Sequence, residues 1–110
     1  IEFTADSEMT DGTSRFILSG DLNDEAVATL ETQLERIVEY QPRRIDFYLA
    51  HLRAMSDTAA RALAKANARL PIETDMYQWD ANEQVERTLR NLGLGSSLHY
   101  EHTEKSTSGS

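Results

Sequence analysis

Hydrophobic residues recur at helical spacing in one stretch and run almost unbroken in the next. Between residues 24 and 40 the apolar positions lie three or four apart, at Val27, Leu30, Leu34, Ile37 and Val38. This spacing predicts an amphipathic helix that Asn23 caps and Pro42 terminates. The segment 44–52 is apolar at Ile45, Phe47, Tyr48, Leu49 and Leu52. Such a run is typical of a buried strand in a parallel sheet.

An alanine-rich stretch predicts a second helix over residues 57–70. Alanine is a strong helix former, and Pro71 stops the helix. A third helix follows residues 80–83, Asp-Ala-Asn-Glu, which have the pattern of a capping box with Asp80 as the N-cap residue. Gly93 is a natural residue to end this helix. Its inward positions are Val85, Leu89 and Leu92.

Strand signals fill the segments between the helices. Short strands are predicted at 2–5, at 15–19 (ended by Gly20), at 72–79 and at 98–102, and the Asp11-Gly12 pair in the polar loop 7–14 signals a hairpin turn. The order β-β-α-β-α-β-α-β favours an α/β fold, with helices packed on a mixed, largely parallel sheet of four to five strands. We expect one domain over residues 1–102 and a disordered tail over 103–110.

Composition excludes several classes of function. The 110 residues carry a net charge of −8, which disfavours nucleic-acid binding because affinity for phosphate backbones needs clustered Lys and Arg. With no cysteine, disulfides, Cys zinc sites and thiol catalysis are excluded. No apolar run approaches the ~20 residues of a membrane span, so direct membrane insertion is not expected. A cytoplasmic location is the default expectation.

The histidines and aromatic residues carry no clear ligand pattern. His99 and His102 would point to opposite faces of a strand, so they cannot hold one metal ion together. Tyr77 and Trp79 are expected to be strand residues packed against a helix rather than a ligand cage. We therefore expect no metal site and no cofactor.

No catalytic constellation stands out either. Ser56, Asp57 and His51 are the residue types of a hydrolytic triad, but no Gly-x-Ser-x-Gly motif surrounds the serine. No glycine leads into the Gly-Lys-Ser/Thr of a phosphate-binding loop. The sequence thus favours a non-enzymatic binding or switching module.

The elbow between the apolar strand and the second helix is the most informative segment. Residues 55–58, Met-Ser-Asp-Thr, place hydroxyl groups at a helix N-terminus, where free N–H groups and the helix dipole favour an anion. A phosphate on Thr58 would be tolerated there, and its roughly −1.5 to −2 charge would transform a docking surface. The alternative interpretation is that Ser56 or Asp57 simply caps the helix.

Three segments together resemble the STAS domain family of bacterial anti-sigma-factor antagonists. Residues 16–22, Phe-Ile-Leu-Ser-Gly-Asp-Leu, are similar to the family's strand before helix one, and residues 55–59 to its Met/Val-Asp-Ser/Thr-Ser/Thr-Gly elbow. Residues 91–94, Asn-Leu-Gly-Leu, are similar to the end of its last amphipathic helix. Two departures are Ser56 at the usual Asp position and Ala59 at the usual Gly. Before the elbow, Tyr-Leu-Ala at 48–50 replaces the frequent Asp-Leu-Ser.

The resemblance implies a sheet covered by helices on one side and no catalytic activity. It implies that an anti-sigma-factor-type serine kinase phosphorylates Thr58, with Ser56 as the runner-up, and that a phosphatase reverses the modification. Asp57-Thr58 is also similar to the elbow of stressosome proteins and of a STAS subunit of lipid-transport ABC complexes. The alternative is therefore a scaffold that binds such an assembly or a transporter ATPase without being phosphorylated.

A docking surface follows from this comparison. It comprises the elbow, the exposed face of the second helix and the loop before the first helix. Its expected residues are Gly20, Asp21, Asn23, Met55, Ser56, Asp57, Thr58, Ala59, Arg61 and Lys65.

Overall fold

A computed structural model describes residues 1–92 and 98–103. Within them the chain forms five strands and three α-helices. The strands are β1 (Thr4–Thr10), β2 (Thr13–Leu22), β3 (Arg44–Met55), β4 (Asp75–Trp79) and β5 (Leu98–Glu101). The helices are α1 (Val27–Tyr40), α2 (Asp57–Ala68) and α3 (Glu83–Asn91), and a short 3-10 turn, Asp24–Ala26, precedes α1.

The strands form one sheet in the order β1-β2-β3-β4-β5. The β1–β2 pair is antiparallel and the other three pairs are parallel. Each parallel pair is joined through a helix, as such crossovers require. The prediction of a mixed, largely parallel sheet is confirmed.

The helices cover one face of the sheet and enclose the core there. Alternate residues of the central strands point toward the helices, and β2 contributes Phe16, Leu18 and Leu22, each at most 1% exposed. Of the apolar positions that the periodicity assigns to the inner helix faces, six are buried and two, Val27 and Leu92, are half-buried against the core; the buried ones are Leu30, Leu34, Ile37, Val38, Val85 and Leu89. The helical periodicity therefore identified the correct faces.

The N-terminal hairpin differs from the sequence prediction. The expected strand at 2–5 and loop at 7–14 are replaced by β1 and β2, which pair in register from Thr4 with Ser19 to Thr10 with Thr13. Polar residues fill β1 because one of its faces is exposed to solvent. The Asp11-Gly12 turn itself is confirmed, with φ of 53° and 83°, as a tight hairpin turn requires.

Gly20 does not end its strand, contrary to the prediction. β2 continues to Leu22, with register shifts against β3 on both sides of Gly20. The φ of Gly20 is +89°, and a Cβ there would lie 2.2 Å from the carbonyl oxygen of Glu2. Glycine is therefore needed here for a bulge and a close backbone approach, and not as a strand terminator.

The third helix begins later than predicted. Asn82, and not Asp80, is its N-cap residue, because the Asn82 side chain accepts a hydrogen bond from the N–H of Val85 at 2.9 Å. Asp80 has a positive φ of 62° and accepts a hydrogen bond from the N–H of Thr103 instead. Gly93, the predicted end of this helix, lies outside the described residues.

The second helix and the fourth strand are also shorter than predicted. α2 ends at Ala68 rather than Leu70, and β4 starts at Asp75 rather than at residue 72. Residues between them form a turn, in which the N–H of Thr74 donates to the carbonyl of Pro71. Residues next to Pro71 are thus used for the turn that joins the helix to the strand.

Tyr77 and Trp79 are strand residues, but they lie on the helix-free face and not against a helix. Their rings stack on neighbours from adjacent strands, Trp79 on Tyr48 at 6.3 Å and Tyr77 on His99 at 4.7 Å between centroids. The indole N–H of Trp79 donates to the buried carboxylate of Asp46 at 2.9 Å. This half-buried aromatic layer protects the outer face of the sheet.

Candidate docking site

The elbow lies at the carboxyl end of β3, where the chain turns into α2. The last residues of β2 and β3 are neighbours in the sheet, since Leu22 pairs with Met55. The N–H of Ser56 donates to the carbonyl of Leu22 at 2.9 Å, which extends this pairing to the first residue of the turn. The expected loop at 20–23 is the end of β2 followed by Asn23, and it forms one contiguous region with the elbow at 55–59.

The two hydroxyl groups of the elbow have different environments. Ser56 is the N-cap of α2, and its Oγ accepts a hydrogen bond from the N–H of Ala59 at 3.1 Å. Thr58 is the second residue of the helix, and it is exposed. Its hydroxyl makes no hydrogen bond within the described part of the chain. Asp57, also exposed, precedes it and places a carboxylate in the first turn, where the helix dipole favours negative charge.

Three residues of the expected surface have buried side chains or backbone. Met55 is 2% exposed and Ala59 is fully buried, and both belong to the hydrophobic core. Gly20 is buried beside the backbone of Glu2. These residues shape the elbow from beneath and offer no side chain to a partner. The cause is the sheet pairing and the helix face, which direct positions 55 and 59 inward.

The end of β2 and the residue after it contribute two polar side chains, Asp21 and Asn23. The side chain of Asn23 accepts a hydrogen bond from the N–H of Ala26 at 3.1 Å, so the predicted cap is confirmed, although it caps the 3-10 turn that leads into α1. The carboxylate of Asp21 accepts a hydrogen bond from the amino group of Ile1 at 2.7 Å. Asn23 is exposed and Asp21 is half-buried.

Basic side chains lie beside the acidic start of α2. Arg61 and Lys65 are exposed, one helical turn apart on one face, and neither makes a hydrogen bond or ion pair within the described residues. Arg53, which sequence reasoning missed, is a third exposed cation near the end of β3. The site thus combines a free hydroxyl and a carboxylate with nearby cations on a rigid support.

Sequence reasoning also missed the residues that hold the elbow from the third helix. The Oε1 of Gln84 accepts a hydrogen bond from the N–H of Met55 at 3.1 Å, and its Nε2 donates to the Met55 carbonyl at 3.2 Å. Asn82 donates to the carbonyls of Leu52 and Arg53 at 3.3 and 3.0 Å. The sequence signal available was an Asn at a helix start; nothing local indicates the role of Gln84.

Among residues 1–92 and 98–103, no group of three or more His, Asp or Glu side chains could hold a metal ion. In the same ranges, no helix has the length and apolar character needed to cross a membrane.

A sequence model of the STAS domain matches residues 4–107. The chain belongs to the STAS domain family. No curated protein matches the chain by sequence.

Solved structures with the same fold include anti-sigma-factor antagonists. One from Mycobacterium paratuberculosis is 20% identical with a TM-score of 0.79, covering 91% of this chain and 86% of that one. The antagonist SpoIIAA in its unphosphorylated form is 15% identical with a TM-score of 0.74, covering 96% and 92%. The Bacillus cell fate determinant SpoIIAA in its phosphorylated form is 15% identical with a TM-score of 0.69, covering 96% of each chain.

The predicted family and fold class are thus confirmed. Of the segments that carried the resemblance, residues 16–22 form most of β2 and residues 55–59 form the elbow. The third segment, 91–94, is described only as far as Leu92, so its Gly-Leu pair lies outside the described residues.

Proposed function

We propose that this STAS domain is a partner switch similar to the anti-sigma-factor antagonists, and that phosphorylation of Thr58 controls its docking. The observation that carries the proposal is the different use of the two elbow hydroxyls. Ser56 is occupied as the N-cap, whereas the hydroxyl of Thr58 is exposed and makes no hydrogen bond in the described structure. A kinase can therefore reach Thr58 without breaking the cap.

Electrostatics explains how a phosphate at this position would act. It adds about −1.5 to −2 charges beside Asp57, at a helix start that tolerates an anion. The fold therefore survives the modification. A partner that docks on the elbow meets the new charge directly, and a carboxylate on the partner would be repelled.

The proposed contact set is narrower than the sequence suggests. Its accessible members are Asp21, Asn23, Ser56, Asp57, Thr58, Arg61 and Lys65. Gly20, Met55 and Ala59 support these residues from inside. Two of the solved structures with this fold are one antagonist in unphosphorylated and phosphorylated forms, which supports a switch on this scaffold.

Phosphate mapping tests the proposal. The full chain is incubated with ATP and each of a panel of purified anti-sigma-factor-type serine kinases, and is then measured by intact mass and peptide mapping. We expect one phosphate on Thr58 and none on the Thr58→Ala variant. A matching phosphatase should restore the original mass. Phosphate on Ser56 would contradict the assignment. Stable binding to an ATPase or stressosome-type assembly without any phosphorylation would favour the scaffold function instead.

A further inference from the structure

Helices α1 and α2 leave an open groove between them on the solvent side of the helix layer. Its volume is about 580 Å³. Leu34, Ala62 and Ala66 form its floor, and each is 6–8% exposed. Small alanine side chains let another chain approach the helix backbone closely. The groove can therefore accept apolar side chains of a partner.

Charged residues of opposite sign line the two walls. The α1 wall carries Glu31 and Glu35, and the α2 wall carries Lys65 and, at the C-cap position that follows the helix, Arg69. Each pair is spaced by four residues and so lies on one helix face. Both helices connect parallel strands and run in the same direction, which places Glu31 level with Lys65 and Glu35 level with Arg69.

The two levels of the groove differ. At one level the guanidinium of Arg69 donates two hydrogen bonds to the carboxylate of Glu35 and links the two walls. One turn earlier, Glu31 and Lys65 make no hydrogen bond or ion pair with any described residue. An acid and a base therefore face each other across the open part of the groove without contact. An occupant that supplies a base to Glu31 and an acid to Lys65 would satisfy both.

A helix fits this groove better than a strand does. The lining runs from Ala28 to Glu35 on α1 and from Ala62 on α2 to its C-cap residue, Arg69. At 1.5 Å per residue, each wall is about 10 Å, or two helical turns, long. A helix satisfies its own backbone hydrogen bonds, whereas a strand would bring unpaired N–H and C=O groups against an apolar floor.

We propose that the groove between α1 and α2 binds an amphipathic helix of a partner protein. Its apolar stripe is flanked by basic residues on the side toward Glu31 and by acidic residues on the side toward Lys65. Reversing such a helix end to end exchanges its flanks, so the wall charges also fix the direction in which it lies. The groove shares one residue, Lys65, with the docking surface of the proposed function, and none of the elbow residues 55–59 lines it.

Synthetic helical peptides test this. The probe carries a Leu/Ala stripe with Lys along one flank and Glu along the other, and the control peptide has the same stripe with Gln on both flanks. Calorimetry with the full chain should show the probe binding from a few-fold to about tenfold more tightly, the range expected for two exposed charge pairs. Amide shifts in nuclear magnetic resonance should change around Thr32, Ala62 and Ala66.

Charge variants test the direction of binding. Glu31→Lys should lower the affinity for the probe a few-fold. Glu39→Lys changes an exposed position of α1 outside the groove lining and should leave that affinity unchanged. The double variant Glu31→Lys/Lys65→Glu exchanges the charges of the two walls and should restore the affinity for the probe. The probe should then lie in the opposite direction, which a spin label at one end of the peptide would report. Thr58→Glu should not affect peptide binding, so failure of the elbow switch and failure of the groove are distinguishable.

Three results would overturn the proposal. One is equal affinity for the two peptides, and another is shift changes confined to other parts of the molecule. The third is concentration-dependent self-association of the chain that perturbs the same groove residues without peptide, since the occupant would then be a second copy.

Discussion

The side-chain amide of Gln84 makes both hydrogen bonds to Met55 that a neighbouring strand would make. It accepts from the Met55 N–H and donates to the Met55 carbonyl, while the other side of Met55 pairs with Leu22 in β2. Gln84 also donates to the hydroxyl of Thr88 one turn later, which fixes its rotamer. The third helix thus holds the end of β3 at the point where the elbow begins.

Removing this amide should loosen the elbow. We expect Gln84→Ala to lower the free energy of unfolding by about 1–3 kcal/mol, because two backbone groups lose their partners. Urea denaturation measures this. Arg87→Ala, at an exposed position of the same helix without a hydrogen bond in the described structure, is the control and should change the free energy by less than about 0.5 kcal/mol. Equal effects would mean that the Gln84 bonds do not hold the elbow.

Removing the hydroxyl of Ser56 and removing that of Thr58 should have different effects on the free energy of unfolding. Ser56→Ala removes the N-cap of α2 and should lower the free energy of unfolding by about 1 kcal/mol. Ser56→Asp should keep most of the stability that the cap provides, because Asp is also a good N-cap residue. Thr58→Ala should stay within about 0.5 kcal/mol of the wild type, since its hydroxyl is exposed. Thermal or urea unfolding of each variant measures these differences. A large loss for Thr58→Ala would show that its hydroxyl has a structural role.

Arg61 should affect docking without affecting folding. Arg61→Glu leaves the groove intact and should change the free energy of unfolding by less than about 0.5 kcal/mol. Its binding to an anti-sigma-factor-type kinase should weaken, mainly through a slower association rate, because charges at the edge of an interface steer encounter. Surface plasmon resonance separates the rates. Arg36→Glu, an exposed charge change on α1, is the control, and equal behaviour of the two variants would exclude Arg61 from the interface.

The ion pair with Arg69 should lower the pKa of the Glu35 carboxyl group. The hydrogen bonds from Arg69 hold the pKa of Glu35 below its ordinary value. A lowered pKa means that the pair stabilises the folded chain fully above the ordinary glutamate range, and that this contribution is lost as the pH falls through the lowered value. A carboxyl titration by nuclear magnetic resonance should show the pKa of Glu35 rising in Arg69→Gln and staying low in Arg36→Gln. An unchanged value in Arg69→Gln would refute the pairing.

Periodicity was sufficient to predict the three helices and the order of helices and strands along the chain. The residues Leu30, Leu34 and Ile37 repeat with the helix and face the core, and the run after Pro42 is buried in the centre of the sheet. The elbow was predictable because its hydroxyls follow an apolar strand and precede a helix. Its position at a helix N-terminus is a local property of the chain.

Other features depend on contacts between distant segments, which a local pattern does not contain. Gly20 resembles a strand terminator until the backbone of Glu2 is placed against it. Asp80 resembles an N-cap, but Asn82 takes that role and Asp80 holds the segment after β5. Nothing near Gln84 in sequence indicates that its amide reaches β3.

The central claim is that negative charge on Thr58 prevents docking at the elbow. Calorimetric titration of the anti-sigma-factor-type kinase that phosphorylates the chain tests it most directly, with the wild type, Thr58→Ala, Thr58→Glu and Thr10→Glu. Thr10 is an exposed threonine at the hairpin turn, at the opposite end of the sheet from the elbow. We expect the wild type, Thr58→Ala and Thr10→Glu to bind alike and Thr58→Glu to bind at least about tenfold more weakly, a loss of about 1.4 kcal/mol. Equal binding by Thr58→Glu and Thr10→Glu would contradict the account.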